Sequence, residues 1–388
     1  MKRIKFKNSM KNFSLLILIL SSWMNSALSQ SNLSNQFGIP FITNWSPKDY
    51  DAHKQNWKIV QDDRGVMYFA NGQGVLEYDG VNWRTISLPN DSWALSIGFD
   101  SSAERIYVGA ETEFGYLSPD SVGEMQYISL LPFVPEQYRD FGEVWETLVS
   151  SNGIYFRSSE YLFRWKNNPI VSGHGDFQIW KQDHSFNRAF LVRDKLYVQQ
   201  SETGLMELTN DSLRLVHGSE RFFQERIIAL LPFDNNRILV CTRSQGQFIY
   251  DGQTFQSFIT QADSFLQENQ LYNGAMLADG TFALATLRGG LAIMDKHGRL
   301  LQIVNKISGL IDDNIWFLYP DREGALWLAL NNGLARVETP APLSLYSEQL
   351  GVKGLVADFL RHQNRLYAAT SEGVFLLSQH TGTLPMFY

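Results

Sequence analysis

The sequence repeats itself, and the length of the repeat decides the fold. Residues 316–336 read WFLYPDREGALWLALNNGLAR, and residues 57–80 read WKIVQDDRGVMYFANGQGVLEYDG. Both run as an apolar strand, an Asp-x-x-Gly turn, a second strand around an aromatic, a glycine turn and a third strand. With the centre of the second strand as anchor, the copies fall at Tyr68, Tyr107, Tyr155, Tyr197, Leu239, Ala283, Trp327 and Tyr367, spaced 39 to 48 residues apart. A glycine follows seven of the eight anchors, the third copy having Tyr161 instead. A period near forty with strand-turn-strand content and no helical spacing is that of one four-stranded propeller blade per copy. An aromatic content of 13% suits such strands.

Each local feature has a structural reading. In Asp62–Gly65 and Asp321–Gly324 the Asp bonds its own backbone and the Gly takes positive φ, which closes a tight hairpin. The ligand-dense spacing of a calcium loop is absent. Tyr68, Tyr107 and Trp327 are expected to pack between neighbouring blades, because an anchor repeated in every unit serves the unit.

The seventh unit ends near Val337, and Pro340-Ala341-Pro342 then interrupts strand pairing, since proline has no N–H to give. The fold expected is all-β: seven four-stranded blades over 38–342, then the first blade of an incomplete second propeller over 343–388. Phe41-Ile42-Thr43 would close the first ring as a strand of its last blade, covering an open sheet edge. A single eight-bladed ring is the alternative.

Residues 1–29 form a separate device. Lys2, Arg3, Lys5, Lys7 and Lys11 precede an apolar stretch from Phe13 to Trp23, and Ala27-Leu28-Ser29 supplies small residues for cleavage before Gln30. That order is expected of a cleaved secretory signal peptide, which would place the mature chain in the periplasm or outside the cell. An uncleaved membrane anchor is the alternative, for which the apolar run is short against the ~20 residues of a span. Without those five cations, 28 basic residues face 40 acidic ones, a net charge of −12. Nucleic acid demands clustered Lys and Arg and is not an expected partner. The single cysteine, Cys241, excludes an intrachain disulfide and sits in an apolar run, so burial is expected.

The Asp-x-x-Gly-x-Leu/Met-aromatic pattern, followed by Asn/Thr-x-x-Gly-Leu/Val, resembles the two-component regulator propeller repeat of bacterial hybrid sensors. The opening residues 38–50, GIPFITNWSPKDY, resemble the start of such a sensor. The resemblance covers about residues 38–382 and is strongest in the first, seventh and eighth units. The third and fourth units are degenerate, and Asn71 and Leu330 stand where the family usually has threonine. The resemblance implies a periplasmic sensor region of two seven-bladed propellers and a three-Y β-sandwich, joined through a transmembrane helix to a kinase or DNA-binding output. No kinase, receiver or helix-turn-helix pattern is present, so membrane attachment and output would lie in a further C-terminal part.

No nucleotide loop, H-E-x-x-H pair or nucleophile elbow appears, and no cofactor or metal site is expected. His174 and His184 are the two histidines closest in sequence, and ten residues across a strand turn is poor ligand spacing. The better candidate is a binding face at one end of the ring. Turns between second and third strands bring Asn71, Glu111, Glu113, Arg157, Arg243, Arg288 and Asn331 there. The leading ends of the first strands bring Trp57, Trp93, Trp145, Arg226, Asn273 and Trp316. From these, the expected ligand site is Trp93, Trp145, Arg157, Arg226, Arg243, Asn273, Arg288 and Trp316. Aromatic plates ringed by Arg and Asn suit a small polar ligand such as an oligosaccharide, although tryptophans at those positions can equally serve to seal the hub. The expected function is an extracytoplasmic ligand-sensing module without catalysis of its own. A secreted propeller enzyme of glycoside hydrolase or lyase type, or a lectin-like binder, is the alternative. A homodimer stays open.

Overall fold

In a computed structural model, residues 38–166, 176–181, 183–339, 345–346, 348–363, 365–378 and 386–388 are described. The proposed leader at 1–29, the Pro340-Ala341-Pro342 interruption, His174 and Gly382 lie outside them. The regular structure of the described chain is almost entirely strand, with two short α-helices, Pro47–Tyr50 and Asp263–Asn269, and six single-turn 3-10 helices. None of its helices is long and apolar enough to cross a membrane.

Eight four-stranded antiparallel sheets follow one another. Blade one holds β2 (Asn56–Gln61), β3 (Met67–Asn71), β4 (Gly74–Tyr78) and β5 (Trp83–Ile86). The innermost strands of the next five blades are β6 (Ala94–Asp100), β10 (Glu146–Ser150), β14 (Phe186–Val192), β18 (Ile227–Pro232) and β22 (Leu271–Met276). Blade seven is β26 (Ile315–Pro320), β27 (Leu326–Leu330) and β28 (Gly333–Val337), completed by the N-terminal strand β1 (Ile42–Trp45). β1 runs antiparallel to β28, from Ile42 opposite Val337 to Trp45 opposite Leu334. The inner strands pack in sequence around the hub, and β26 packs back against β2. The ring therefore closes at seven blades, not eight.

Glycine and aspartate make the closure and the turns possible. Gly333 takes φ +109, and a Cβ there would sit 2.4 Å from the Trp45 carbonyl oxygen, so the closing strand needs glycine opposite it. In the first Asp-x-x-Gly turn the Asp62 carboxylate accepts from the Arg64 and Val66 amides, each at 2.9 Å, and Gly65 takes φ +89. Asp321 repeats this with the Ala325 amide at 2.8 Å and also accepts from the Trp327 indole and from Arg336. These aspartates are hairpin ligands for backbone, which accounts for their spacing without a metal.

The anchors pack between blades. Tyr68 joins Ile97 and Ile106 of blade two, Tyr107 joins Phe156 of blade three, and Trp327 joins Phe69 and Leu76 of blade one. Trp327 also stacks on Trp45 of β1 at 4.9 Å, so the closing strand is held by a ring contact as well as by its ladder. Cys241 is fully buried in the fifth–sixth blade cluster, and burial pushes its thiol up to about 12.

Residues 39–344 form one compact unit, and 345–388 belong to another. The second contains the eighth sheet: β29 (Val356–His362), β30 (Arg365–Thr370), β31 (Gly373–Ser378) and β32 (Met386–Phe387). Its small core gathers Val352, Leu366, Ala368, Leu377 and Phe387.

Candidate functional site

One irregularity, repeated around the ring, builds the mouth of the hub. In β2 the register jumps from Asn56 opposite Asn71 to Lys58 opposite Ala70, leaving Trp57 as an extra residue. The same bulge falls at Leu95, Asn187, Ile228, Tyr272 and Trp316 in five other blades; β10 alone of the seven inner strands lacks it. A bulge breaks strict alternation and re-aims side chains. Consecutive residues can then face the same space, and here Trp57 with Lys58, Asn187 with Arg188, and Tyr272 with Asn273 all line one cavity.

That cavity has a volume of about 470 Å³, and Trp145, Glu146, Arg157, Arg226 and Trp316 complete its polar and aromatic wall. A second space of about 460 Å³ runs down the hub, sharing Lys58, Glu146, Arg188 and Asn273 and otherwise lined largely by apolar residues such as Phe99, Leu148, Phe190 and Leu318. The polar mouth and the largely apolar shaft thus adjoin at these four shared residues.

The charges at the mouth do not balance. Glu146 is the one carboxylate among the residues lining these two spaces, and Arg157 is buried against it in an ion pair while also donating to the Phe186 carbonyl at 3.1 Å. Burial holds the Arg157 guanidinium below its usual value, against the pull of Glu146. Arg188 donates to the Ile228 and Tyr272 carbonyls at 2.6 and 3.2 Å and lies 5.1 Å from the Tyr272 ring. Lys58 sits 4.4 Å from the Phe317 ring centre. Desolvation brings Lys58 down to about 8, Glu146 opposing and Arg188 and Arg157 reinforcing the drop. Among the described residues, none of Lys58, Arg188 and Arg226 forms a salt bridge.

Of the residues expected from sequence, Trp145, Arg157, Arg226, Asn273 and Trp316 come together here, as does Trp57. Trp93 stands outside the cavity wall, 44% exposed, stacked on Trp57 at 5.4 Å and 5.5 Å from the His53 ring, which extends the aromatic surface to the rim. Arg243 and Arg288 are exposed on their turns and are not part of the cavity wall. Asn71 is buried and donates to the Gln55 carbonyl and the Asn56 side chain, a structural bond set. Glu113 is likewise buried, accepting from Phe114, Tyr127 and Ser129, and burial raises its carboxyl. Glu111 pairs through its backbone with Glu143, and the Asn331 amide donates to Asn314. Lys58, Glu146, Arg188 and Tyr272 are the charged and aromatic wall residues that the sequence expectations lack, together with Ser159, Ser185, Phe186, Asn187 and Ser201.

No group of three or more metal-ligating side chains occurs among the described residues. A hydrolytic pair of carboxylates is not supplied by the hub either, since Glu146 stands alone there and is engaged by Arg157. What the wall offers is apolar ring faces beside donors and cations, which is binding chemistry.

Solved structures with this fold include the extracellular domain of the putative hybrid two component system BT3049 from B. thetaiotaomicron, at 16% identity and TM-score 0.62. The match covers 90% of this chain and 49% of that one. The corresponding domain of BT4673 from the same organism matches at 14% identity and TM-score 0.58, over 90% of this chain and 47% of that one. Streptogramin B lyase matches at 11% identity and TM-score 0.55, over 77% of this chain and 97% of that one. The fold is therefore that of a β-propeller, shared with extracellular sensor domains and with an enzyme. The chain spans about half the length of the two sensor domains. No family model matches the sequence, and no curated protein matches it.

Proposed function

We propose that the chain is the ligand-sensing propeller of an exported bacterial receptor of the two-component type, taking a small polar ligand such as an oligosaccharide at the mouth of its hub. The observation that carries this reading is the wall where Trp57, Trp145 and Trp316 stand beside Asn273, Arg188 and Arg226 on one axial cavity. Its size falls within the ~300–1,000 Å³ of ordinary ligand pockets. The similarity in fold to extracellular domains of hybrid two-component systems supports a sensory rather than catalytic role. So does the single, already paired carboxylate of the hub. The basic, apolar and small-residue order of the first 29 residues supports export and a periplasmic location.

The test is thermal denaturation of the full chain against a panel of neutral, acidic and amino saccharides. A ligand that binds only the native state raises the midpoint with concentration. The expected result is a dose-dependent rise that Trp145→Ala abolishes, since Trp145 lines the cavity and is 37% exposed, so that its loss leaves the fold intact. A rise untouched by Trp145→Ala would move the ligand away from the hub and overturn the assignment.

A further inference from the structure

Within an acidic chain the hub mouth is the reverse: Lys58, Arg157, Arg188 and Arg226 surround one Glu146. Glu146 is engaged by Arg157, and the other three cations on the wall of the cavity form no salt bridge among the described residues, Arg226 also bordering a neighbouring space that Glu202 and Glu225 line. Holding like charges together in a partly desolvated space is unfavourable, and the unfavourable part is relieved by any anion seated between them. The indole N–H of Trp316 adds to this: it is buried and has no hydrogen-bond partner among the described residues. An orphaned donor in a cavity wall is satisfied by an acceptor from outside the chain.

We infer that the ligand of this site is anionic: a carboxylate or sulfate seats among Lys58, Arg188 and Arg226, with the ring that bears it against the indoles of Trp57, Trp145 and Trp316. The inference rests on the reading of the mouth as the ligand site and names the class of ligand. Arg226 is exposed and acts as the outer clamp. Arg188, already fixed by two carbonyls, offers its remaining N–H groups without reorganising, and Lys58 supplies charge from below. A mono- or disaccharide with one uronate or sulfate group has this chemistry and fits a space of about 470 Å³.

Lys58 gives the proposal a signature. The groups facing it are Glu146 on β10, Arg157, Arg188 on β14 and the Phe317 ring on β26. Free, it titrates near 8, below its ordinary value; an anion beside it favours the charged form and raises that value. Binding therefore takes up protons near pH 8, and affinity is highest below pH 8 and falls as pH rises through it.

Isothermal titration calorimetry on the full chain decides the matter with three probes of similar size: digalacturonate, a sulfated disaccharide and neutral digalactose. At least one anionic probe is expected to bind about tenfold or more tighter than digalactose, the effect of a charge-assisted hydrogen bond, with affinity falling as salt is added. At pH 8 its enthalpy should depend on the buffer in the sense of proton uptake, and Lys58→Met should remove that dependence. Arg226→Gln should weaken the anionic probe about tenfold with the thermal midpoint unchanged. Preference between digalacturonate and the sulfated probe distinguishes carboxylate from sulfate. Digalactose binding as tightly as the anionic probes overturns the anionic assignment and leaves the hub as a ligand site. Binding by none of the three also overturns it, while the Trp145→Ala experiment judges the site itself.

Discussion

Strands β18 and β29 begin the same kind of sheet with the same bulge, yet β18 buries five of its six residues and β29 exposes all seven. β18 has the inner strands of two neighbouring blades beside it. The anchors tell the same story: from Tyr68 to Trp327 all seven are buried, and Tyr367 in the eighth sheet is only half-buried. Local hydrogen bonding is thus complete in one blade, whereas burial comes from neighbours. The apolar residues of β29 and its approach, Leu355, Val356, Phe359 and Leu360, are 82%, 44%, 43% and 62% exposed.

Truncating an aromatic ring in each region should separate them most strongly. Phe156 is fully buried and stacks on Phe114 at 4.6 Å, so Phe156→Ala should cost about 3–5 kcal/mol in denaturant unfolding. Phe359→Ala should cost about 1 kcal/mol or less, since the ring keeps much of its surface in water. Equal losses would erase the distinction.

A smaller but sharper contrast comes from two glycines at the same place in the repeat. Gly333 and Gly373 both open the third strand, with φ +109 and +147, but a Cβ on Gly333 meets the Trp45 carbonyl whereas a Cβ on Gly373 meets nothing within 4 Å. Backbone strain of ~1–2 kcal/mol applies to both substitutions by alanine, and overpacking of ~1–3 kcal/mol only to Gly333→Ala. The ring midpoint should fall for Gly333→Ala and stay in place for Gly373→Ala.

The architecture was legible because its determinants are local and recur: Asp62 with Gly65, Asp321 with Gly324, an anchor every forty residues, and a spare strand near Phe41. The site was legible only in part. Trp145, Arg157, Arg226, Asn273 and Trp316 could be read from their places at strand ends. Lys58 and Arg188 could not, because strict alternation sends the neighbour of Trp57 to the opposite face, and the bulge that cancels this has no composition of its own: its extra residue is Trp, Leu, Asn, Ile or Tyr. Arg243 and Arg288 show the converse, since a turn between second and third strands lies at the right end of the ring but outside the hub wall. The Glu146–Arg157 pair joins strands eleven residues apart, and only the strand register reveals it.

Hydrogen exchange followed by mass spectrometry on the full chain tests the central claim, that the N-terminal strand closes a seven-blade ring and the eighth sheet belongs to a second compact unit. Residues 42–45 should exchange together with 333–337, at the slow rate of the ring, while 356–378 exchange sooner. Early exchange of 42–45 with the rest of the ring still protected, or protection of 356–378 equal to that of the seven blades, would contradict it.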